Sequence, residues 1–339
     1  MPWTFVLGGA PPSGVEEREL TAARGRTITW RLDGACTAQF TIDGRHDEAA
    51  QVVALATDLH IYDPQGVKRF RGRIGPETDD IGPNTHTSQF TAIDYRGMLA
   101  YRQTGAAGAI YTATAAGAIA WDLIADSQAL SGGNWGITDG VGAAGGTARD
   151  KTIDPGKPLA ESINELARLD NGMEWEIDAD LAINRWYPTR GAANGVVLDF
   201  GGLVSRVRRQ LDPSDFANSA LATGAQGLTP VAAVTAGIGA DPRGRWETAA
   251  GFPTISVQST LDDKAPWMLD QASTLRAVYS VTMAPGRWEG ATHIWLGDTV
   301  TLAINSGRLA VNDPFRVIEV SVQPGGDGGE VVTLGLLAV

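Results

Sequence analysis

The sequence predicts a mostly β protein in which an α+β segment interrupts two stretches of strands. Three observations carry this: period-two alternation of apolar residues over the first hundred positions, an Ala/Gly-rich middle with one amphipathic helix, and a return to alternation over the last hundred. At 339 residues the chain is long enough for two or three domains.

Ile28, Trp30 and Leu32 alternate with Thr27, Thr29 and Arg31; beyond Asp33-Gly34, Cys36, Ala38, Phe40 and Ile42 alternate with Thr37, Gln39 and Thr41. Alternation puts each apolar set on one face of a sheet. A two-residue Asp33-Gly34 turn would send the two apolar rows to opposite faces. A three-residue connection through Ala35 is therefore expected, with Leu32 opposite Cys36 and Ile28 opposite Phe40. A second hairpin is predicted around Asp63-Pro64-Gln65-Gly66, a turn by composition. In its return strand Phe70 and Ile74 face one way, with Gly72 between them, and Arg69, Arg71 and Arg73 face the other. An acidic Gly/Pro/Asn-rich connector, then a strand through Phe90 and Ala92, leads to Asp94. That residue can cap a short helix presenting Tyr95, Met98 and Leu99.

From Thr104 the texture changes, with a helix predicted near Ile119–Leu130 and a loop over the glycines that follow. A stronger helix comes after Asp154-Pro155, with Leu159, Ile163 and Leu166 on one face and Gly172 as its stop. A hairpin with its turn near Asp178-Ala179-Asp180 closes this α+β part. A further helix is expected over 265–276, entered through Pro266. Four or more strands then follow, in which Val300, Leu302 and Ile304 alternate, as do Ile318, Val320 and Val322.

The chemistry-bearing residues are sparse. Net charge is −12, with 27 basic against 39 acidic residues, which disfavours a general nucleic-acid binder. One cysteine, Cys36, excludes an internal disulfide and a thiolate metal site. No run reaches the ~18 apolar residues of a membrane helix, and the N-terminus lacks a signal-peptide pattern, so no stable membrane insertion is expected. The G-x-G-x-x-G at Gly140, Gly142 and Gly145 precedes a poor helix and reads as a flexible loop rather than a dinucleotide site. Glu174, Glu176, Asp178 and Asp180 fall at every second position; the hairpin turn breaks the row, leaving a solvated face. His46, His60, His86 and His293 show no metal-ligand spacing, and no nucleophile elbow is present. Neither a cofactor nor enzymatic activity is expected. The Arg69, Arg71, Arg73 row could hold phosphates or acidic sugars; the plainer expectation is salt bridges across the sheet or to a neighbouring subunit. The ten tryptophans read mainly as anchors of sheet cores or interfaces.

The order FTIDGRHDEAAQVVALATDLHIYDPQGVKRFRGRIG, polar connector, FTAIDYRGMLAYR resembles the N-terminal part of baseplate-hub (minor tail) proteins of long-tailed, siphovirus-type bacteriophages, especially those of actinobacterial hosts. The likeness returns in LDPSDFANSALATG, MAPGRWEG and WLGDTVTLAINSGRLAVNDPFRVIEVSV. It implies two tail-tube-like antiparallel β-barrel domains: residues 1–103, with 203–223 returning to complete the first, and residues 224–339. An α+β domain over 104–202 lies between them. It also implies a homotrimeric ring that continues the tail tube at the virion tail tip, made in the host cytoplasm. The implied partners are the distal tail protein, the tape-measure protein and tail fibre or tip proteins, with DNA passing through unbound. An acidic lumen would repel phosphate and keep friction low. Receptor binding and puncture are expected of partner proteins. A carbohydrate-binding adhesin stacking sugars on tryptophans, or a cell-wall hydrolase using Glu174 or Glu176, are the alternatives.

Overall fold

The N-terminal strands are β1 (Thr4–Gly9), the two-residue β2 (Arg18–Glu19), β3 (Arg24–Arg31), β4 (Thr37–Asp43), β5 (Thr57–Tyr62), β6 (Lys68–Ile81) and β7 (His86–Asp94), followed by the one-turn helix α1 (Tyr95–Met98). The computed structural model describes residues 2–11, 18–142, 145–168, 172–253, 255–273, 277–286, 288, 294–325 and 329–339. Two units divide the chain: residues 1–207 with 280–337, and residues 208–279.

The long strands of this first run are antiparallel in the order β3-β4-β7-β6-β5-β1. Three strands separate β4 from β1 in that order, yet Phe40 and Phe5 meet with ring centroids 6.2 Å apart. Trp3 and Trp30 likewise meet at 6.1 Å. The sheet therefore curls until its ends approach. Arg26 on β3 bridges the gap: Nη1 donates to the Trp3 carbonyl at 3.2 Å, and the guanidinium lies 5.1 Å from the Phe5 ring centroid. Phe5, Ile28, Phe40, Leu59, Ile61 and Ile74 fill the interior.

Two expectations are corrected in detail. Thr29 faces Thr37 and Ile28 faces Ala38, so the β3–β4 register lies two residues from the expected one, while one apolar face is kept. Leu32 does not pair with Cys36 because its N–H donates to Ile318 and its carbonyl accepts from Arg96. The acidic connector is also largely strand: β6 runs on to Ile81, pairing from Glu77↔Phe90 to Ile81↔His86, and only Gly82–Thr85 turn.

The middle part contains β8 (Ala109–Ala115), α2 (Ala116–Ala129), β9 (Thr138–Asp139), β10 (Ala148–Ile153), α3 (Leu159–Ala167), β11 (Glu174–Ile177) and β12 (Ala182–Trp186). Leu159, Ile163 and Leu166 are fully buried and share a core with Ile119, Ile124, Trp175 and Ile183. The expected loop contributes β10, which pairs with β8. Gly140 and Gly142 lie tight against β12, where a Cβ on Gly140 would meet the Ile183 carbonyl oxygen at 2.7 Å. This packing, not phosphate binding, accounts for the glycines. Helix α3 ends at Ala167, short of Gly172.

Next come β13 (Ala193–Asp199) and β14 (Val204–Leu211). In the 208–279 unit, β15 (Ser219–Thr223) is flanked by β16 (Val231–Val234) and β17 (Glu247–Gly251), and helix α4 (Gln258–Ala272) supplies Leu261, Ala265 and Met268 to the small core. Pro266 sits inside α4 rather than at its entry. The chain then forms β18 (Ala277–Met283), β19 (Thr299–Ser306), β20 (Leu309–Pro324) and β21 (Glu330–Ala338).

The second run is ordered β13-β19-β20-β21-β18-β14, and Val320↔Trp30 pairing of β20 with β3 joins both runs into one 13-stranded sheet. Leaving β2 aside, each run reads first-fourth-fifth-sixth-third-second across the sheet. The two differ at the first strand, since β1 is antiparallel to β5 whereas β13 is parallel to β19. Segment 203–223 does not return to the first run of its own chain: β14 neighbours β18, with Ser205 Oγ donating to the Thr282 carbonyl, and β15 belongs to the three-stranded sheet. The protein is thus mostly β, with a curled antiparallel sheet and an α+β insertion. No helix among the described residues is long and apolar enough to cross a membrane.

Candidate functional site

Two of the three arginines of β6, Arg71 and Arg73, lead to one buried polar junction. The Asp63-Pro64-Gln65-Gly66 turn sets a register that puts Arg73 opposite Asp58 and Arg71 opposite His60. Asp58 is fully buried; its carboxylate accepts from Arg71 Nε at 3.0 Å and from Tyr95 Oη at 2.8 Å, with Arg73 Nε 3.5 Å away. Arg73 Nη2 donates to Tyr95 Oη at 3.0 Å and to the Pro11 carbonyl at 3.4 Å. Such a charge is tolerated away from water because opposite charges and hydrogen bonds surround it.

The junction holds the α+β part to the first run. Trp135 packs edge-on against Tyr95, centroids 5.8 Å apart, and takes Arg73 at 5.2 Å and Arg102 at 4.9 Å from its ring centroid. Arg102 in turn donates to the carbonyls of Gly133 and Ser127. The two sequence signatures, FRGRI and DYRG, thus meet in space. Phe70 and Ile74 enter the core while Arg71 and Arg73 take Asp58. Gly72 is needed because a Cβ there would stand 2.6 Å from the Ile93 carbonyl oxygen. Asp94 caps α1 by accepting from the Gly97 N–H at 2.8 Å. Arg96 donates to the Leu32 carbonyl at 2.8 Å and lies 4.6 Å from the Trp175 centroid, a second tie between the two parts.

These groups are set for structure rather than reaction. Burial and the neighbouring Asp58 push the Tyr95 hydroxyl well above the ordinary phenol range. Burial raises the Asp94 carboxyl to about 6 and the Cys36 thiol well above its usual value. The acidic row is also committed. Glu174 forms a bidentate pair with Arg316, both contacts 2.6 Å, and accepts the Arg190 N–H; Glu176 pairs with Arg190; Asp178 closes its own turn by accepting from Asp180 and Ala182. Glu174, Glu176 and Asp178 are half-buried and bonded rather than solvated as expected, while Asp180 is exposed and pairs with Lys68 at 2.6 Å. No free carboxylate pair for hydrolysis emerges from Glu174 and Glu176.

Arg69 stands apart from Arg71 and Arg73. Its side chain is 43% exposed; Nε contacts Asp63 at 2.7 Å and the guanidinium lies 5.8 Å from the Trp295 centroid. Trp3, Trp30, Trp135 and Trp175 are buried, while Trp246 and Trp267 are exposed in the 208–279 unit. His46, His60 and His86 do not gather into a ligand set with other residues among those described, and His293 lies outside them. Sequence reasoning missed Asp58, Tyr95 and Trp135 as a group. The Asp58–Arg73 pairing depends on a register shift between Ile61 and Tyr62 that the turn composition does not reveal, and Trp135 is reached only through the fold.

No protein-family model matches the sequence, and no curated protein matches it. Solved structures do share the fold. The 43 kDa tail protein of prophage MuSo2 from Shewanella oneidensis superposes with a TM-score of 0.72 at 12% identity, covering 98% of this chain and 97% of that one. A tail protein from Neisseria meningitidis MC58 gives 0.68 at 12% identity, covering 99% and 97%. An E. coli type VI secretion system component, itself structurally similar to T4 bacteriophage tail proteins gp27 and gp5, gives 0.53 at 10% identity, covering 94% and 73%. The architecture is therefore that of phage tail proteins.

Proposed function

We propose that the protein is a structural, non-enzymatic component of a phage tail tip or baseplate hub, in which three copies close a ring that continues the tail tube. Tape-measure protein and then DNA would pass through its opening. The observation that carries this is the reciprocal match in fold, which spans 98% of this chain and 97% of the Shewanella tail protein.

The first run over 1–103 and the C-terminal strands supply two tube-like domains, and the insertion over 104–202 an outer one. A net charge of −12 suits a conduit for a polyanion, because a wall of like charge does not retain phosphate. The ring sits at the virion tail tip, beside the distal tail protein and fibre or tip proteins of a siphovirus-type phage. Of the three β6 arginines, Arg69 is the one exposed enough to reach a neighbouring copy.

Light scattering coupled to gel filtration, across a concentration series up to several hundred micromolar, tests the reading. Growth of a species with three times the 35.6 kDa chain mass is expected. A monomer at every concentration, and in virions a copy number incompatible with a ring of three, would overturn it.

A further inference from the structure

Among the described residues, the duplicated strand order leaves an unpaired edge on the fifth strand of the first run and another on the second strand of the second run. In the second run, the fifth strand, β20, pairs with β19 over Leu309–Arg316 and then continues past it, where residues 319–322 pair antiparallel with β3, the second strand of the first run. In the first run the fifth strand, β6, does the same. It pairs with β5 only over Lys68–Arg73 and continues to Ile81. Here no second strand arrives: among the described residues the outer edge of 76–81 has no strand partner, and all six residues are exposed. Among the described residues β14, the second strand of the second run, ends the sheet with β18 as its one strand neighbour, apart from an isolated Phe200–Val204 bridge at its start, and is exposed except at Val204 and Val207. Exposed strand edges invite pairing with another chain unless covered.

Charge indicates what covers them. Within the chain, the contact between fifth and second strands carries an ion pair, Arg31 of β3 with Glu319 of β20 at 2.9 Å. The unpaired edges have the same polarity. The fifth strand β6 carries Glu77, Asp79 and Asp80, and the second strand β14 carries Arg206, Arg208 and Arg209. Among the described residues, Glu77, Asp80 and these three arginines make no ion pair, unlike the β6 arginines turned to Asp58.

We propose that the acidic edge Pro76–Ile81 of one copy pairs antiparallel with the basic strand β14 of a second copy, repeating between chains the β20–β3 contact made within one. The contact is head-to-tail, since the two edges are different surfaces of the chain, and such contacts either close into rings or run on as filaments. It rests on the ring reading above and names the surfaces that close that ring. The segment 204–211 thereby completes the first run, but of the neighbouring copy.

The test uses two sets of full-length variants. Reversing one edge, by Glu77→Arg with Asp80→Arg or by Arg206→Glu with Arg208→Glu, weakens self-association about tenfold or more. Combining both reversals in one chain restores it, which a folding defect would not do. In a Cys36→Ala background, chains carrying Thr78→Cys mixed with chains carrying Val207→Cys give a heterodimer with a short bis-maleimide, whereas either chain alone does not. If the trimer forms but neither edge reversal weakens it and no 78–207 cross-link appears, the contact is wrong and the ring stands. If no self-association occurs at several hundred micromolar and the virion copy number is incompatible with a ring of three, the ring reading falls and this contact with it. If the copy number fits, the same 78–207 cross-link is sought in assembled tails, and its absence there overturns the contact alone.

Discussion

The two six-strand runs share a strand order but are held together differently where their fourth and fifth strands meet. In the second run the buried positions of the fourth strand, Val300, Leu302 and Ile304, are all apolar, with Val300 opposite the buried Phe315, Ile304 opposite the half-buried Val311 and Leu302 opposite the exposed Asp313. In the first, the equivalent pair β5–β6 keeps Leu59 and Ile61 on one face and places Asp58, Arg71 and Arg73 on the other, against Tyr95 and Trp135. The first run must also hold the α+β insertion. Apolar contact alone permits sliding, whereas a buried carboxylate with directed donors admits few geometries. The difference suggests that polar burial is kept where two cores must be registered, and dispensed with where a sheet packs on itself.

That contrast can be broken by mutation. Asp58→Ala leaves two nearly buried guanidiniums without their acid and is expected to cost about 3–5 kcal/mol, read by urea unfolding. A loss under ~1 kcal/mol would show that the junction is incidental. Leu302→Ala, the apolar counterpart in the second run, is expected to cost about 2–5 kcal/mol as a cavity. It should leave proteolytic protection of the α+β part unchanged, while Asp58→Ala reduces it. Gly72→Ala pushes a methyl against backbone at the Ile93 carbonyl and should cost about 1–3 kcal/mol; a neutral effect would mean that β6 and β7 can separate freely. Tyr95→Phe keeps the ring on Trp135 and removes only the hydroxyl bridge between Asp58 and Arg73. A loss of about 1–2 kcal/mol is expected.

The smallest effect concerns pH. Burial raises Asp94 in the folded protein to about 6, from 3.8. The folded state thus holds this proton more tightly than the unfolded chain, so its contribution to stability is greatest below about pH 4 and declines as pH rises to about 6. Asp94→Asn is always neutral and still caps α1. Subtracting its pH–stability curve from that of the wild type should leave a downward slope between pH 4 and 6; a flat difference would contradict the assigned burial.

What the sequence disclosed follows from which interactions are local. The alternating rows through Ile28, Trp30, Phe40 and Ile42, the Asp63–Gly66 turn, the Asp94 cap and the α3 face at Leu159, Ile163 and Leu166 are short-range patterns and were readable. The β3–β4 register was not, because Ile318 and Arg96, both distant in sequence, take the hydrogen-bonding groups of Leu32. The strand over Glu77–Ile81 has no apolar alternation, and Gly75-Pro76 reads as a break; pairing with β7 decides it. Pro266 resembles a helix start, yet Leu261, Ala265 and Met268 bury one face through it. The arginine row was legible as a row expected to form salt bridges across the sheet or to a neighbouring subunit, but which acids take it was not. Asp58 and Asp63 lie on the preceding strand and turn.

The central claim is a ring with an open, phosphate-repelling passage, and a three-dimensional reconstruction of the assembled full-length protein tests it most directly. Three copies are predicted around a through-channel whose wall carries more Asp and Glu than Arg, with residues 76–81 of each copy against 204–211 of the next. A closed particle without a channel, or a passage lined chiefly by arginine, would contradict the account.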